Sequence, residues 1–167
     1  PSMTLVALLV AKFSATALSL GSGFSGGVFS PSLAVGALGG GAFGLAVAAV
    51  SPDLASGSGT YATVGMGAVA GAVLGAPIST ILIVFEMTAD YGVTTAVMVG
   101  TVSAAMTMGR LNARSIFQLQ LERRGLVSIE QDPKDKRGKR LRLTAEGMAV
   151  LAAAFPIWEQ THAEIEA

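Results

Sequence analysis

Residues 21–32, GSGFSGGVFSPS, lie between two long apolar segments and contain the backbone groups best placed for chemistry in this sequence. Ser30-Pro31 predicts a helix that begins with Pro31 at its first position, because the amide hydrogen that proline lacks would have no partner there. The amides of Val28 and Phe29 would then extend from the helix end without a carbonyl acceptor. Free amides and the positive end of the helix dipole together bind anions. The pattern therefore predicts a site for a small anion at Gly26, Gly27, Val28, Phe29, Ser30 and Pro31.

The composition of this segment also indicates how such a site would bind. Gly26 and Gly27 would allow tight backbone turns without a side chain in the way. Amides hold an anion less firmly than Lys or Arg would, which suits a site through which ions pass. The alternative is a flexible loop that only joins two helices, and the residues by themselves leave both interpretations open.

Charged residues are spread very unevenly along the 167 residues. Only four precede Arg110, and the charge-free runs between them cover residues 13–52, 54–85 and 91–109. Each run reaches the length of about 18 apolar residues expected of a membrane-crossing helix. A soluble domain with these runs would have little polar surface for water. The first two thirds of the chain are therefore predicted to lie in a membrane.

Glycine, proline and serine residues divide the apolar part into five predicted helices. Several of these are too short to cross about 30 Å of hydrocarbon upright, and short, interrupted helices are typical of transporters whose helix ends meet inside the membrane. The predicted helices cover about residues 5–20, 31–50, 61–75, 77–88 and 93–108.

Two sets of glycines recur at a spacing of four. This spacing places each set on one helix face, where a missing side chain lets a neighbouring backbone approach. We expect these faces to pack within the chain rather than to form a dimer contact. The two sets are Gly36, Gly40 and Gly44, and Gly67, Gly71 and Gly75.

The character of the chain changes after Arg110. Two alternating segments, at 126–132 and 139–144, flank the turn-forming sequence PKDKRG and predict a β-hairpin. Thr144 is suited to cap a last helix at about 145–165. The predicted fold class is therefore mainly α: a polytopic membrane helical fragment with short broken helices, followed by a β-hairpin and a C-terminal α-helix. Within that last helix, Pro156 is expected to bend or divide the chain.

Three segments resemble the CLC family of chloride channels and chloride/proton antiporters. SGGVFSPSLAVGALGGGAFG matches the family's Gly-x-Phe-x-Pro signature with Gly27, Phe29 and Pro31. VGMGAVAGAVLGAPISTILIVFEMTADY looks like the family's run of small residues, Ala-Pro and a helix ending in Glu-x-Thr, and SIFQLQLERRG is similar to the end of its membrane domain. The resemblance implies that residues 1–124 are a partial CLC-like transmembrane domain that transports chloride or a similar small anion.

The resemblance also implies roles for particular residues. Val28 and Phe29 would lend backbone amides to the central chloride, and the family places a tyrosine hydroxyl on that ion where this chain has Phe117, which has no hydroxyl. The family's other anion-binding segments and its gating glutamate belong to an earlier half that these residues do not include, so the function is expected to be incomplete. Glu86 is interpreted as an interface carboxylate instead. The resemblance further implies a homodimer in the inner or plasma membrane of a bacterium, with the C-terminal tail in the cytoplasm.

The tail has a second resemblance, over residues 119–167. It contains Gly125-Leu126-Val127, Asp135-Lys136-Arg137 and Leu143-Thr144-x-x-Gly147, which are similar to the wing and last helix of MarR-type winged-helix regulators. The resemblance implies a partial winged-helix-like tail at 125–167 and a chimeric or fragmentary chain. On this alternative, the protein would be a DNA-binding transcriptional regulator that lacks its helix-turn-helix. The DNA contacts would come from Arg137, Lys136 and Lys139. The excess of basic residues between 110 and 142 is equally typical of a cytoplasmic membrane loop.

Other function classes have little support. The sequence has no cysteine, no Ser/His/Asp set, no phosphate loop and no metal-spaced cluster, and its one histidine, His162, stands alone. We therefore expect neither an enzyme nor a metal or cofactor site. Chloride transport is the leading hypothesis and DNA-dependent regulation the alternative.

Overall fold

The structure, a computed structural model, describes residues 2–22, 26–111, 113–131 and 139–166. In these ranges the chain forms seven α-helices, one short 3-10 helix and two β-strands. The chain divides into two compact units, Pro1–Ser115 and Ile116–Ala167. The predicted fold class is confirmed: helices dominate, and a two-stranded hairpin precedes a C-terminal helix.

The first unit consists of apolar helices. The first, second and fifth of these helices are long and apolar enough to cross a membrane, whereas the third and fourth are shorter. The prediction for the fourth helix, 77–88, is confirmed, whereas the other four helices begin two or three residues earlier than the sequence predicts. The elements are α1 Ser2–Gly21, α2 Phe29–Val50, the 3-10 helix Pro52–Leu54, α3 Ser58–Leu74, α4 Pro77–Thr88 and α5 Tyr91–Arg110.

Helix boundaries in this unit follow from local capping. Asp90 begins α5 two residues earlier than predicted, since its Oδ1 accepts hydrogen bonds from the amides of Gly92 at 2.8 Å and Val93 at 3.1 Å. Gly75 ends α3 in the left-handed conformation with φ of 70°. Glycine adopts this conformation without strain, so Gly75 terminates a helix and does not extend the glycine face of α3.

Glycines bring α2 and α3 into backbone contact. A Cβ on Gly36 would overlap the carbonyl oxygen of Gly65, and one on Gly40 would overlap the carbonyl oxygen of Tyr61. Gly44 faces the Tyr61 ring, where a Cβ would lie 2.7 Å from the nearest ring carbon. The first glycine set therefore packs within the chain, as expected.

The second set faces α5 instead. A Cβ on Gly67 would lie 2.6 Å from Cγ1 of Val97, and one on Gly71 would lie 2.5 Å from Cγ2 of Thr101. Val97 and Thr101 are both fully buried. Helix α3 thus packs between α2 and α5: the glycines of α2 face it on one side, and its own Gly67 and Gly71 face α5 on the other.

The outside of the first unit remains apolar. Its buried core is small, whereas large side chains such as Leu18, Phe43 and Val99 are 71%, 61% and 65% exposed. Exposed apolar surface on this scale requires lipid or other protein around it. The surface therefore agrees with helices that lie in a membrane.

The second unit contains the predicted hairpin. Its elements are α6 Ile116–Arg123, β1 Val127–Gln131, β2 Lys139–Leu143 and α7 Ala145–Glu166. The strands pair antiparallel with Val127 opposite Leu143, and α7 follows directly. Helix α7 continues through Pro156, so the proline does not divide it, and the alternative, a bend at Pro156, stays a prediction. Hydrogen bonds on either side hold the helix together, although the proline removes one bond.

Thr144 connects the hairpin to α7. Its hydroxyl donates to the carbonyl of Gly125 at 2.7 Å and accepts from the amide of Gly147 at 3.0 Å, which confirms the predicted cap. We expect Thr144→Val to destabilise the second unit by about 1 kcal/mol, because it removes both bonds. Fluorescence of Trp158, the single tryptophan, should report this as an earlier unfolding midpoint in urea. Thr144→Ser keeps the hydroxyl and should have the same unfolding midpoint as the native protein. Equal midpoints for the Thr144→Val and Thr144→Ser variants would contradict the cap.

Candidate anion-binding site

The candidate site lies at the start of α2, which begins earlier than the sequence predicted. Phe29 is the first helical residue and Pro31 the third, so the prediction that Pro31 is the first was wrong. Proline is tolerated at both positions, since no amide in the first turn of a helix has an acceptor within that helix. Proline therefore marks the first turn without identifying its first residue.

The early start leaves three amides in one turn without an intrahelical acceptor. The first bond of the helix runs from the amide of Ser32 to the carbonyl of Val28, at 3.1 Å. The amides of Val28, Phe29 and Ser30 precede it, and no side chain caps the helix at Val28. The hydroxyl of Ser32 donates to the carbonyl of Phe29 at 2.7 Å and is thus engaged within the turn. We call the Val28, Phe29 and Ser30 amides the amide cradle.

Gly26 and Gly27 contribute space rather than unusual backbone geometry. Neither has a positive φ, and a Cβ built on either would meet nothing within 4 Å. The predicted role of Gly26 and Gly27, to allow backbone turns without a side chain in the way, stays a prediction. Both residues are exposed among the residues that the structure describes.

An open cleft of about 200 Å³ lies against this segment. One wall consists of Gly26, Gly27 and Pro31, and the other belongs to α1. The polar residues of the α1 wall are Lys12, Thr16 and Ser19. We refer to this feature as the α1–α2 cleft.

The sequence interpretation did not include the α1 wall. Its signal was present, because positions 12, 16 and 19 follow the helical spacing of four and three residues and so share one face. Among the described residues that line the α1–α2 cleft, Lys12 is the one charged side chain. Together with the positive end of the α2 dipole, this makes the cleft electropositive.

The other predicted site residues lie elsewhere. Phe117 is on α6 in the second unit and is 50% exposed, and its role beside the anion stays a prediction. Lys136 and Arg137, predicted for DNA contact, fall outside the described residues. Lys139 is the first residue of β2.

The similarity to known proteins lies mainly in the first unit. Residues 1–109 match the family model described as voltage gated chloride channel. A ClcB-like chloride channel protein of Ralstonia nicotianae is 40% identical over 120 residues, which cover 72% of this chain and 28% of the relative. The H(+)/Cl(-) exchange transporter ClcA of Vibrio campbellii is 38% identical over 119 residues, covering 71% of this chain and 25% of the relative. This chain therefore spans about a quarter of the length of the curated relatives it matches.

Proposed function

The chain belongs to the voltage gated chloride channel family, and we propose that it binds chloride at the amide cradle as part of a chloride transport pathway across a membrane. The observation that carries the proposal is the turn of three amides at the start of α2 that have no acceptor within the helix, beside an electropositive cleft. The named activities of the relatives, chloride channel and H(+)/Cl(-) exchange, support the choice of chloride.

The amide cradle suits an ion that must leave as well as enter. Amide hydrogens of Val28, Phe29 and Ser30 would replace part of the chloride hydration shell, and the helix dipole would favour negative charge. No full positive charge belongs to the cradle itself, so binding would be reversible. Cations would be disfavoured, because the amide hydrogens and the positive end of the helix dipole repel them in this turn.

The cradle would supply one part of a larger anion site. The family resemblance implies further anion-binding segments beyond the quarter of the relatives' length that this chain spans. In the family, a tyrosine hydroxyl and backbone amides both bind the central chloride. Phe117 has no hydroxyl, so in this chain the backbone amides would bind the ion without that contact. We infer weaker central binding than a tyrosine-containing relative has.

The same proposal includes the side of the membrane on which the tail lies and the assembly of the chain. The tail would lie in the cytoplasm, since the basic residues after Arg110 are typical of a positive-inside segment. A homodimer would form as in the family, with Glu86, which is exposed on α4, at an interface. The dimer contacts and the side of the tail are proposals that rest on family resemblance and charge.

The tail itself is proposed to be a separate, MarR-like element joined to the membrane part. The order of hairpin and long helix, β1, β2 and α7, supports the resemblance to a wing and last helix. The match to the chloride channel family at residues 1–109 favours transport over DNA-dependent regulation. The proposed origin is therefore a chimera whose function lies in its first unit.

Chloride binding is the direct test. The full chain is expected in the membrane fraction and, after extraction into a neutral maltoside detergent, it should broaden the chloride NMR signal in a saturable way. Bromide should compete, whereas gluconate should compete far less, because it is a much larger and more strongly hydrated anion than the amides of a single turn can surround. A linewidth equal to that of detergent alone would overturn the proposed function. Recovery of the chain as a soluble protein without detergent would contradict its place in a membrane.

A further inference from the structure

Lys12 occupies an unusual position for a cation. It is the only Lys or Arg before Arg110, and it lies near the middle of α1, which runs from Ser2 to Gly21. At 1.5 Å per residue, either end of the helix is about 14 Å away. A lysine near a helix end reaches the membrane surface easily, but from the centre that distance exceeds the length of the side chain.

Its surroundings explain how the charge is accommodated. Lys12 is exposed and lines the α1–α2 cleft with Thr16 and Ser19, and the opposite wall holds Gly26 and Gly27 next to the amide cradle. Gly26 and Gly27 add no side chain to this wall, and Pro31, which completes it, belongs to the first turn of α2. An ion in the cleft would therefore lie beside Lys12 and next to the turn that carries the amide cradle. A charged residue inside an apolar span is costly to retain and typically marks an ion pathway.

The charge of the cleft favours one kind of ion. In the described part of the lining, no carboxylate accompanies Lys12, and the negative side chains of the first unit are Asp53, Glu86 and Asp90. Asp90 caps α5, Glu86 is exposed on α4, and Asp53 lies in the 3-10 helix after α2. None of them lines the cleft, so the field of Lys12 acts on an incoming ion without a local counter-charge.

We propose that Lys12 is the specificity-determining residue for entry of the anion: it draws small anions into the α1–α2 cleft and repels cations before they reach the amide cradle. This inference rests on the proposed function of the cradle and adds a residue to it. Lys12 and the amides would act on the anion in different ways. Lys12 provides a full charge that acts over several ångströms and concentrates anions, while the amides provide directed hydrogen bonds that hold one ion.

Two variants test the role of the charge. Lys12→Met keeps an unbranched side chain of similar length without the charge, and Lys12→Arg keeps the charge. We expect Lys12→Met to weaken chloride binding about tenfold in the NMR titration, which is the effect of one nearby charge in a partly hydrated site. Lys12→Arg should stay within about twofold of the native protein, because a guanidinium provides the same net charge.

Ionic strength separates steering by charge from a merely structural role. Raising sodium gluconate should weaken chloride binding to the native protein and to Lys12→Arg, because it screens the charge, and it should affect Lys12→Met much less. Far-ultraviolet circular dichroism should show equal helix content in all three proteins. A structural role for the lysine stem would not change the salt dependence.

The outcomes distinguish this inference from the function on which it rests. If the native protein and Lys12→Met bind chloride equally at every ionic strength, the role of Lys12 is overturned and the amide cradle stands. If Lys12→Arg is as weak as Lys12→Met, charge is not the reason and the inference is again overturned. If the native protein binds no chloride, the proposed function fails first and this inference fails with it.

Discussion

Phe29→Pro is expected to weaken chloride binding by about 2 kcal/mol, or about thirtyfold, since it removes one hydrogen bond from an amide to an anion. The substitution deletes an amide hydrogen and no intrahelical bond, because Phe29 is the first residue of α2 and its amide has no acceptor in the helix. Proline fits the first turn of a helix, and Pro31 already occupies the same turn behind a helical residue. The NMR titration in detergent measures the affinity.

Phe29→Leu is the matched control for this prediction. It also removes the half-buried ring but keeps the amide, so its chloride affinity should stay within about twofold of the native value, because backbone amides and not the ring hold the ion. Circular dichroism should show the same helix content for both variants. If leucine weakens binding as much as proline does, the ring matters and the backbone amide does not. If neither variant changes the affinity, chloride binds elsewhere.

Gly40→Ala is expected to destabilise the first unit by about 2 kcal/mol, because the new methyl group would overlap backbone that cannot move alone. A Cβ at this position would overlap the carbonyl oxygen of Tyr61 and lie 2.9 Å from its carbonyl carbon. Both atoms belong to the backbone of α3, so relief requires α2 and α3 to separate along their length. Equilibrium unfolding of the detergent-solubilised protein in sodium dodecyl sulfate, followed by circular dichroism, measures the loss.

Gly39→Ala provides the contrast one residue earlier on the same helix. Its Cβ would lie 4.0 Å from Cδ2 of Leu9, so the methyl group fits without displacing any atom. The better helix propensity of alanine should leave this variant as stable as the native protein or more stable by up to about 1 kcal/mol. Equal destabilisation by both alanines would show that the contact between α2 and α3 does not depend on glycine.

Local features of the fold were predictable because they depend on neighbours in sequence. The charge-free runs located the apolar helices, and alternation around PKDKRG located the hairpin. Thr144 was recognised as a cap from its side chain and from the helical pattern that follows it. The predicted starts of the helices were less accurate. Pro31 predicted a start of α2 that is two residues too late, since proline fits more than one position in the first turn of a helix.

The candidate site was predictable only in part. The amides of Val28 and Phe29 were predicted from the expected helix start, whereas the amide of Ser30 joins them because α2 begins at Phe29. In the structure, Gly26 and Gly27 leave room beside the cradle and do not adopt a left-handed turn. Lys12 was not named, although Thr16 and Ser19 on the same helix face were a visible signal.

The sequence by itself determined the approximate positions of the five apolar helices, the hairpin and the last helix, and which helices are apolar enough for a membrane, since capping and hydropathy are local properties; it did not predict α6. Only the tertiary structure decided which faces meet: Gly36 and Gly40 against α3, Gly67 and Gly71 against α5, and Lys12 across a cleft from Gly27. The physical reason is rotation. A helix can turn about its own axis without changing a single local bond, so its neighbours depend on how all the helices pack together.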